Sequence, residues 1–435
     1  MAYKQVRLGE YFKFEKGLGY KGEFLAEESD VALIGMDSHE EGGGYKEGSE
    51  KPYSGPFKEI DEANPGDVIF AATDLTQDGR VLGSPLLVPE SDEYQTYIYS
   101  HHLLKAFQIK EGFLPEYLYN LYRCEKYRLK AAYADSGTTV RALPAEVLEE
   151  QLVPLPDLAT QQAINEVISL MDQQIANNKA LSKSLEVLAQ AMFKSWFIDF
   201  DPVHAKSKGD KPFGMDDATA ALFPSSFEKS EIGDIPKGWE VVRFSDVINL
   251  ISGGTPKTTQ SEYWNGDIPW YSVTDAPREG LCFFTKTSKY ITSKGLEKSA
   301  ARLVRPGITI ISARGTVGKL AMTSVPSTFN QSCYGVEGKV SDSYTYFQLK
   351  SQVSIMQNVA HGGTFDTITK ETFDFLKVIN PPIEILQRYD ELTNLMLSRI
   401  KNLNFENDSL NLVLRNLLEN YIQLEFALPR ELIAS

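Results

Sequence analysis

Two long stretches of the chain carry apolar side chains at spacings of four and three residues. In both stretches the remaining positions are rich in Gln, Asn, Lys and Glu, which leaves only a narrow apolar seam. Such a seam is typical of a coiled coil, where each helix buries one face against another long helix. The first seam is interrupted around Asn178. The apolar positions are Ile164, Ile168, Met171, Ile175, Leu181, Leu185, Leu188 and Met192 in the first stretch, and Ile385, Tyr389, Leu392, Met396, Ile400, Leu403, Leu410, Leu414, Leu417 and Tyr421 in the second.

These patterns predict two long helices, at residues 158–199 and 383–425. Helices of about 40 residues are about 60 Å long. Two such helices in one chain, separated by a whole domain, pair most simply as an antiparallel coiled coil. The alternative is two unrelated amphipathic helices, each packed on its own domain.

The segments before the two helices predict mixed α/β domains. Short apolar runs at 68–71, 103–109 and 308–311 indicate strands, and residues 115–132 and 343–359 indicate helices. The predicted fold is therefore α+β, with two mixed α/β domains, two long helices that form an antiparallel intramolecular coiled coil, and internal pseudo-symmetry. The predicted boundaries are 1–157 for the first domain, 158–199 for the central helix, 200–237 for a linker with one short helical turn, 238–382 for the second domain, 383–425 for the last helix and 426–435 for a tail.

The pseudo-symmetry is predicted because short matches recur in the same order in both halves. Each match is weak alone, but chance matches would not stay collinear, and the offset drifts only between 225 and 241 residues, as it would if loops differ in length. The matching pairs are Val6 and Val242, Pro65-Gly66 and Pro306-Gly307, Ser136-Gly137-Thr138 and Gly362-Gly363-Thr364, Pro154 with Pro156 and Pro381-Pro382, and Leu170-Met171 and Leu395-Met396.

Composition restricts the class of protein. The 435 residues are 42% hydrophobic and 24% charged, which suits two or three globular domains. We find no apolar run long enough for a membrane span and no signal peptide. Cys124, Cys282 and Cys333 lack the spacing of a zinc or redox motif. We expect a cytoplasmic protein without disulfides or a bound metal.

The charge is unevenly distributed along the chain. The net charge of −15 argues at first against nucleic acid, because phosphates attract Lys and Arg. Residues 1–157 hold 16 basic and 28 acidic side chains, a net of −12, whereas residues 238–380 hold 15 and 12, a net of +3. A DNA-binding role would therefore require basic partner subunits.

Motifs that suggest catalysis are incomplete. Asn380-Pro-Pro-Ile383 lacks the aromatic residue that an adenine methyltransferase stacks on a flipped base. The stretch Arg314-Gly-Thr-Val-Gly-Lys319 lacks the first glycine of a phosphate-binding loop, and His101-His102 has no third ligand at metal spacing. We therefore expect a chain that is not an enzyme and that binds no metal or cofactor itself.

The remaining polar loops carry groups suited to phosphate and base-edge contacts. Backbone amides of glycine turns, cations and side-chain amides are the groups that bind phosphates or pair with bases in the grooves. For any one residue an ordinary surface loop is the alternative. The candidates for DNA binding are Lys16, Tyr20, Lys21, Thr73, Arg80, Ser100, His101, His102, Thr138, Thr139 and Arg141 in the first half, and Gly253, Gly254, Thr255, Lys257, Arg314, Gly315, Asn330, Gln331, Gly363 and Thr364 in the second.

Three stretches resemble the specificity subunits of type I restriction-modification systems. Residues 189–203, AQAMFKSWFIDFDPV, are similar to the end of the central helix of that family. Residues 232–239, IGDIPKGW, resemble the entry to its second recognition domain, and residues 311–318, ISARGTVG, resemble part of that domain. The resemblance covers nearly the whole chain, whereas the recognition loops vary widely in the family.

The resemblance implies two target recognition domains that each read half of a split, asymmetric sequence in double-stranded DNA. The coiled coil would fix the spacing of the half-sites, which lie about 34 Å apart when separated by one helical turn. Two methylation subunits would dock on the coil and supply S-adenosylmethionine, and restriction subunits would bring ATP and Mg²⁺. The aromatic residues Phe193, Trp196 and Phe197 form either a structural cap of the helix or a docking surface for a methylation subunit.

Two other functions remain open from the sequence. The chain could instead serve a type IIB-like restriction-modification enzyme. It could also be a two-headed coiled-coil scaffold that binds proteins and never DNA, which the acidic composition favours. The recognised DNA sequence and its spacer length do not follow from the residues.

Overall fold

The structure is a computed structural model that describes residues 3–74, 81–132, 141–277, 281–361 and 367–423. The chain divides into two compact units. Unit 1 comprises Met1–Gln174 with Leu410–Ser435, and unit 2 comprises Ile175–Ser409. Both divisions fall inside the long helices, so each unit contains one end of each helix. Among the described residues, no helix is long and apolar enough to cross a membrane.

Unit 1 contains the first twelve strands. They are β1 (Lys4–Arg7), β2 (Phe12–Lys16), β3 (Val31–Ile34), β4 (Lys51–Pro52), β5 (Glu62–Ala63), β6 (Val68–Ala71), β7 (Thr73–Asp74), β8 (Pro85–Leu87), β9 (Thr96–Tyr99), β10 (Leu103–Gln108), β11 (Arg141–Ala142) and β12 (Leu152–Leu155). The helices that begin here are α1 (Pro115–Arg123), α2 (Glu125–Ala132), α3 (Ala145–Glu150) and α4 (Leu158–Phe197). The single helix expected at 115–132 is two helices, because the backbone is extended at Cys124.

Unit 2 contains the next twelve strands and six further helices. The strands are β13 (Phe227–Ser230), β14 (Gly233–Pro236), β15 (Glu240–Arg243), β16 (Ile248–Ser252), β17 (Trp264–Tyr271), β18 (Phe283–Phe284), β19 (Tyr290–Ile291), β20 (Thr309–Ser312), β21 (Leu320–Thr323), β22 (Thr328–Phe329), β23 (Cys333–Gly338) and β24 (Lys377–Asn380). The helices that begin here are α5 (Asp201–Ser207), α6 (Asp217–Leu222), α7 (Ser293–Glu297), α8 (Asp342–His361), α9 (Lys370–Phe375) and α10 (Ile383–Gln423).

The two units share one topology, which confirms the internal repeat. The central sheet has the order β2-β10-β6-β8 in unit 1, and β16-β23-β20-β21 with β18 added at the edge in unit 2. In each unit an outer pair, β1 with β12 or β15 with β24, is antiparallel, and a second sheet contains one parallel pair, β3 with β9 or β17 with β22.

The repeat extends to the pairing of individual residues. Leu104 lies opposite Lys16 and Leu103 opposite Ala71 in unit 1, while Tyr334 lies opposite Ser252 and Cys333 opposite Ser312 in unit 2. Equivalent residues are separated by 230 positions in β10 and β23, by 236 in β2 and β16, and by 241 in β6 and β20. A one-residue slip would turn every side chain of a strand to the other face, so identical registers place equivalent side chains on equivalent faces.

The two long helices pair in antiparallel orientation. In unit 1, Ile164 and Ile168 of α4 share a core with Leu414 and Leu418 of α10. In unit 2, Asn178 of α4 bonds to Asn407 of α10, and the α4 residues Phe193, Trp196 and Phe197 pack against Tyr389 of α10. The coil prediction is therefore confirmed.

The expected seam of α4 was wrong beyond Ile175. Leu181 and Leu188 are exposed, while Asn178, Ser182 and Ala189 are buried. The spacing of four and three residues thus continues without a break from Ile175, with two polar residues in seam positions. Leu181 and Leu188 were assigned to the seam because they are apolar, but they lie on an outer face of the helix.

Residues 200–237 contain more structure than the single helical turn expected of a linker. Helices α5 and α6 are followed by the antiparallel hairpin of β13 and β14. The Asp216 side chain accepts a hydrogen bond from the Thr219 amide and so caps α6, and Phe223 and Ile235 belong to the core of unit 2. The segment is mostly polar, so its composition did not indicate that Phe223 and Ile235 would be buried. The predicted domain boundaries remain predictions.

Candidate nucleic-acid interface

Three loops of unit 1 meet at one end of its central sheet. The loop after β2 bonds to the β9–β10 loop through Leu18 N to Tyr99 O (2.8 Å) and His101 N to Leu18 O (2.9 Å). The Ala72 amide, after β6, donates to His102 O at 2.9 Å, and Thr73 Oγ1 lies 3.1 Å from His102 Nδ1. The hydrogen bonds therefore gather Lys16, Tyr20, Lys21, Thr73, His101 and His102 into one cluster.

The chemistry of this cluster is mildly cationic. Lys16, Lys21 and both histidines are exposed, and the histidine rings lie 4.0 Å apart. Partial burial, with added repulsion from His101 and Lys16, lowers the pKa of His102, which favours the neutral ring at neutral pH. A neutral ring presents one donor and one acceptor, the pattern that base edges require. The Ser100 hydroxyl is buried and cannot reach a ligand in this conformation.

The corresponding loops of unit 2 meet in the same way. Gly254 N donates to Phe329 O at 2.9 Å, and Ala313 N donates to Ser332 O at 2.7 Å. The Thr255 hydroxyl donates to the Gln331 side chain. Asn330 is partly structural, because its Oδ1 accepts a bond from the Ser332 amide at 3.0 Å. Gly253–Lys257, Arg314–Gly315 and Asn330–Gln331 thus form one cluster.

Arg314 is an exposed cation of this cluster. Its side chain is exposed, and among the described residues it forms no ion pair. Gly315 beside it has a φ of +74°, a left-handed conformation that glycine adopts without strain. Lys257 and Lys319 are also exposed. A guanidinium on a tight turn can bond to a guanine edge at two points.

Two tryptophans that the sequence reasoning overlooked hold the loop at Gly253–Lys257. Trp270 Nε1 donates to Gly254 O at 2.9 Å, and Trp264 Nε1 donates to Lys257 O at 3.2 Å. The two indoles contact each other edge to face. Their place in the sequence, directly after the loop, gave no signal of this contact. The candidate loop is therefore fixed at both ends.

Glycines at repeat-related positions allow the close approach of the loops. A Cβ at Gly17 would lie 2.1 Å from Tyr99 O, and a Cβ at Gly253 would lie 2.0 Å from Asn330 O. Any other residue would collide with backbone. The two clusters are thus built on the same steric requirement.

Most of the acidic charge of unit 1 belongs to the segments that build its second sheet. Residues 22–67 and 88–99 include all four strands of the second sheet, β3, β4, β5 and β9, and hold 16 acidic against 3 basic side chains, a net of −13. The rest of residues 1–157 holds 12 against 13, a net of +1. The loop cluster adjoins this sheet, because Leu18 and Tyr20 pack against Leu33 and Ile98, and Lys21 Nζ lies 3.5 Å from Glu23 Oε1.

Several candidates cannot be placed. Arg80, Thr138, Thr139, Gly363 and Thr364 lie outside the described residues. Arg141 is described only in its backbone, which pairs with Asp74 in the β7–β11 ladder. Among the described residues, no group of acidic, histidine or cysteine side chains could hold a metal ion.

The aromatic residues at the end of α4 lie in the core of unit 2. Phe193, Trp196 and Phe197 are all buried, and they pack with Phe223, Tyr344 and Tyr389. Buried rings are not available to a docking protein in this conformation. The structure therefore favours the structural cap over the docking surface.

Comparisons with known proteins agree with this architecture. Residues 2–187 and 236–408 match the family described as "Type I restriction modification DNA specificity domain". The chain is 27% identical to the HindI specificity subunit of Haemophilus influenzae, over 63% of this chain and 69% of that protein. It is 26% identical to the MjaIX specificity subunit of Methanocaldococcus jannaschii, over 45% of this chain and 46% of that protein.

A solved structure shares the fold along the whole chain. The specificity subunit of the type I restriction-modification system of M. genitalium superposes with a TM-score of 0.57 and covers 98% of this chain and 97% of its own, at 13% identity.

Proposed function

Because the chain belongs to the family of type I restriction modification DNA specificity domains, we propose that it selects the DNA sequence for a type I restriction-modification complex. Each loop cluster reads one half of a bipartite site, and the coiled coil of α4 and α10 sets the spacing. The chain itself performs no chemistry. Methylation subunits supply S-adenosylmethionine, and restriction subunits, where present, use ATP and Mg²⁺.

The observation that carries this proposal is the repeated loop cluster. Two clusters with the same sheet register, the same backbone bonds and the same glycine requirement carry different side chains. Thr73 and His101 in unit 1 correspond to Arg314 and Gln331 in unit 2. A common scaffold with different polar groups is what two readers of unlike half-sites require.

Arg314 tests the reading of bases by unit 2. Replacing Arg314 with Ala should cost about 1–3 kcal/mol of binding and relax one base position in one half-site, since a bidentate guanine contact would be lost. The measurement is sequencing of methylated adenines in cells that carry the chain and its methylation subunits. The nearby Lys319→Ala is the matched control and should weaken binding evenly across sequences. An unchanged motif with Arg314→Ala would refute the role of this residue.

Exposed apolar residues on the coil provide a docking surface for the methylation subunits. Leu170 and Leu188 of α4 are 59% and 50% exposed, and Leu395 and Val413 of α10 are 73% and 44% exposed. At 3.6 residues per turn, all four lie roughly 110° around their helices from the seam. Unit 1 contains Leu170 and Val413, and unit 2 contains Leu395 and Leu188.

The four residues are related by the repeat. Leu170 and Leu395 are separated by 225 residues, as are Leu188 and Val413. Each unit thus carries one leucine from the start of a long helix and one apolar residue from the end of the other. Two equivalent apolar patches favour two copies of the same methylation subunit.

A charge placed in one patch should remove one of the two subunits. Leu188→Glu should weaken the binding of one methylation subunit at least ~10-fold, since an apolar contact is replaced by a charge that must be desolvated. Native mass spectrometry of the complex measures the subunit count. Gln190→Glu adds the same charge on the opposite flank of α4 and should leave the count unchanged. Equal effects of the two variants would contradict the proposed surface.

A further inference from the structure

The turn that carries Arg314 is closed by the buried side chain of Ser312. The Ser312 hydroxyl donates a hydrogen bond to Thr316 O, and it accepts one from the Lys319 amide, whose nitrogen lies 2.8 Å away. Ser312 is fully buried at the end of β20. These bonds fix the shape of the turn at residues 313–318, but both lie within its own hairpin of β20 and β21.

Residues outside the hairpin hold the turn on both sides of Arg314. Before it, the Ala313 amide donates to Ser332 O at 2.7 Å. After it, the Gln357 side chain of α8 donates from Nε2 to Val317 O at 2.9 Å. The first bond joins two backbone groups, whereas the second depends on a side chain. A substitution at Gln357 can therefore release the far side of the turn.

Helix α8 packs directly against this side of the turn. Gly318 has a φ of +88°, and a Cβ at this position would lie 2.8 Å from Val353 Cγ1 and 2.9 Å from Gln357 Nε2. Val317 is 8% exposed and shares a core with Met356 of α8. The turn and the helix are thus in contact at Val317 and Gly318, and the Gln357 hydrogen bond lies at that contact.

Helix α8 is itself fixed to the long helices within unit 2. Tyr346 Oη and Lys350 Nζ donate to Glu186 Oε1 of α4 at 2.7 and 2.8 Å, and Glu186 is 3% exposed. The Ser343 hydroxyl donates to the Asp390 side chain of α10. These contacts resist movement of α8, because separating the buried ion pair would leave an uncompensated charge in the interior. Helix α8 is therefore a fixed support for the turn.

A base contact by Arg314 needs a precise position of its guanidinium. Two parallel hydrogen bonds to a guanine edge require that the group be held within about 0.5 Å and 10–20° of its productive geometry. Arg314 and Val317 lie on the same tight turn. A shift of the Val317 carbonyl therefore also moves the backbone that directs the Arg314 side chain.

We propose that Gln357 is a positioning residue for the base contact of Arg314. Its amide holds the turn against α8 in the orientation in which the guanidinium meets a base edge, and it acts through Val317 rather than through DNA. The inference rests on the proposed function and deepens it, because it makes the specificity at one base position depend on a residue that does not touch the base.

Gln357→Met tests the inference in the full chain assembled with its methylation subunits. Methionine keeps the length of the side chain but cannot donate to Val317 O. Discrimination at the base position that Arg314→Ala relaxes should fall about 5-fold, the effect of one lost hydrogen bond, while discrimination at the other positions is unchanged. The measurement is the affinity of the complex for duplexes that carry each of the four bases at that position.

Gln352→Met is the matched control. Gln352 is also half-buried on α8, and its side chain has no hydrogen bond among the residues that the structure describes. This variant should discriminate as the wild type does. A purely structural role of Gln357 would instead weaken binding to all duplexes evenly. An even loss in Gln357→Met, or unchanged discrimination, would overturn the inference.

The double variant shows whether Gln357 acts through Arg314. Arg314→Ala with Gln357→Met should discriminate at this position as Arg314→Ala does alone, because the residue that Gln357 positions is already absent. A further loss in the double variant would mean that Gln357 acts independently of Arg314 and would contradict the inference.

Hydrogen exchange tests the support of the turn separately from DNA binding. The Gly318 and Lys319 amides, which bond to Ser312, should exchange faster in Gln357→Met than in Gln352→Met, while the amides of β23 keep their protection. Equal exchange at Gly318 and Lys319 would overturn the inference. If the wild-type complex methylates no bipartite site, the proposed function fails and the base contact with it, whereas the exchange result still decides whether Gln357 holds the turn.

Discussion

His39 is buried without a charge partner in the acidic part of unit 1. Its side chain is 6% exposed, and its Nε2 lies 3.4 Å from Ile69 O. Burial lowers the pKa of His39 from 6.5 to about 4, against a smaller opposing effect of backbone hydrogen bonds. The ring is therefore neutral in the folded chain at neutral pH.

The consequence is a loss of stability in mild acid. A folded pKa below the unfolded value contributes stability that is complete above pH 6.5 and is lost as the pH falls toward 4, because the unfolded chain then binds the proton. With ~1.36 kcal/mol per pKa unit, the loss reaches about 3 kcal/mol. Hydrogen exchange of β3 and β9 should show this loss in the wild type and a smaller loss in His39→Gln. A pH dependence that is the same in both would contradict this role of His39.

The exposure of a side chain can be predicted from the sequence when it depends on neighbouring residues in the chain, but not when it depends on a distant segment. The exposure of Lys16, Lys257 and Arg314 could be predicted, because each lies in a polar loop. The burial of Ser100 could not, because it depends on the distant loop at Leu18. The role of Asn178 was visible as an interruption of the seam, but its partner Asn407 lies 229 residues away.

The elements of each unit are held in place by close backbone contacts at the loop cluster. Strands β2 and β16 are each followed by a glycine, Gly17 or Gly253, where an added Cβ would lie within 2.1 Å of a backbone oxygen of a neighbouring segment. All four tryptophans, at 196, 239, 264 and 270, lie in unit 2. Their fluorescence therefore reports the unfolding of one unit.

Alanine at these glycines should destabilise one unit at a time. Gly253→Ala should cost about 1–3 kcal/mol or more, since its Cβ would overlap a backbone oxygen, and should lower the urea midpoint of the tryptophan signal. Gly17→Ala should instead raise hydrogen exchange in unit 1 and leave that midpoint unchanged. Gly19→Ala, where a Cβ would meet nothing within 4 Å, is the control for unit 1. If Gly17→Ala and Gly19→Ala have the same hydrogen exchange in unit 1, the close contact at Gly17 does not stabilise that unit.

Sequence periodicity predicted elements well where apolar side chains mark the buried face. The strands at 68–71 and 103–109 followed such patterns, and so did the α10 seam residues Ile385, Tyr389, Ile400, Leu403 and Leu414. On the same helix, Thr393, Leu397, Asn407 and Leu418 are buried although the predicted seam did not include them. The pattern failed in α4, where Leu181 and Leu188 are exposed and polar residues take seam positions. Periodicity reports where apolar residues recur, and it cannot distinguish a seam from an outer patch on the same helix.

At the scale of the whole molecule, the two units should recognise DNA independently. Exchanging residues 1–150 for those of a relative should change one half of the methylated sequence and leave the other half intact. Sequencing of methylated adenines measures both halves at once, so the unexchanged half is the control. A change in both halves would contradict independent reading.

The donor residues in this exchange must fit the core that unit 1 forms with the two long helices. Ile164 and Ile168 of α4 and Leu414 and Leu418 of α10 pack with Leu118 and Leu121 of α1 in one cluster. A donor domain with different volumes at these α1 positions would lose stability by overpacking or by cavities. Hydrogen exchange of unit 1 in the chimera shows whether the core has formed.

The overall layout could be inferred from order and resemblance, whereas the division into units could not. Collinear matches between the halves indicated the repeat, because topology is conserved even where identity is low. The predicted boundaries followed the order of the chain and assigned residues 383–425 to a separate helix. The contacts show otherwise, since α10 contributes its final turns to unit 1.

The packing of the end of α10 in unit 1 has a consequence for biosynthesis. The 235 residues of unit 2 are synthesised between the two parts of unit 1. During that time Ile164 and Ile168 lack the contacts that Leu414 and Leu418 later provide. A chain that ends before α10 should expose the apolar side chains that Leu414 and Leu418 cover in unit 1. Late completion of this kind makes the stability of unit 1 depend on synthesis of the last helix.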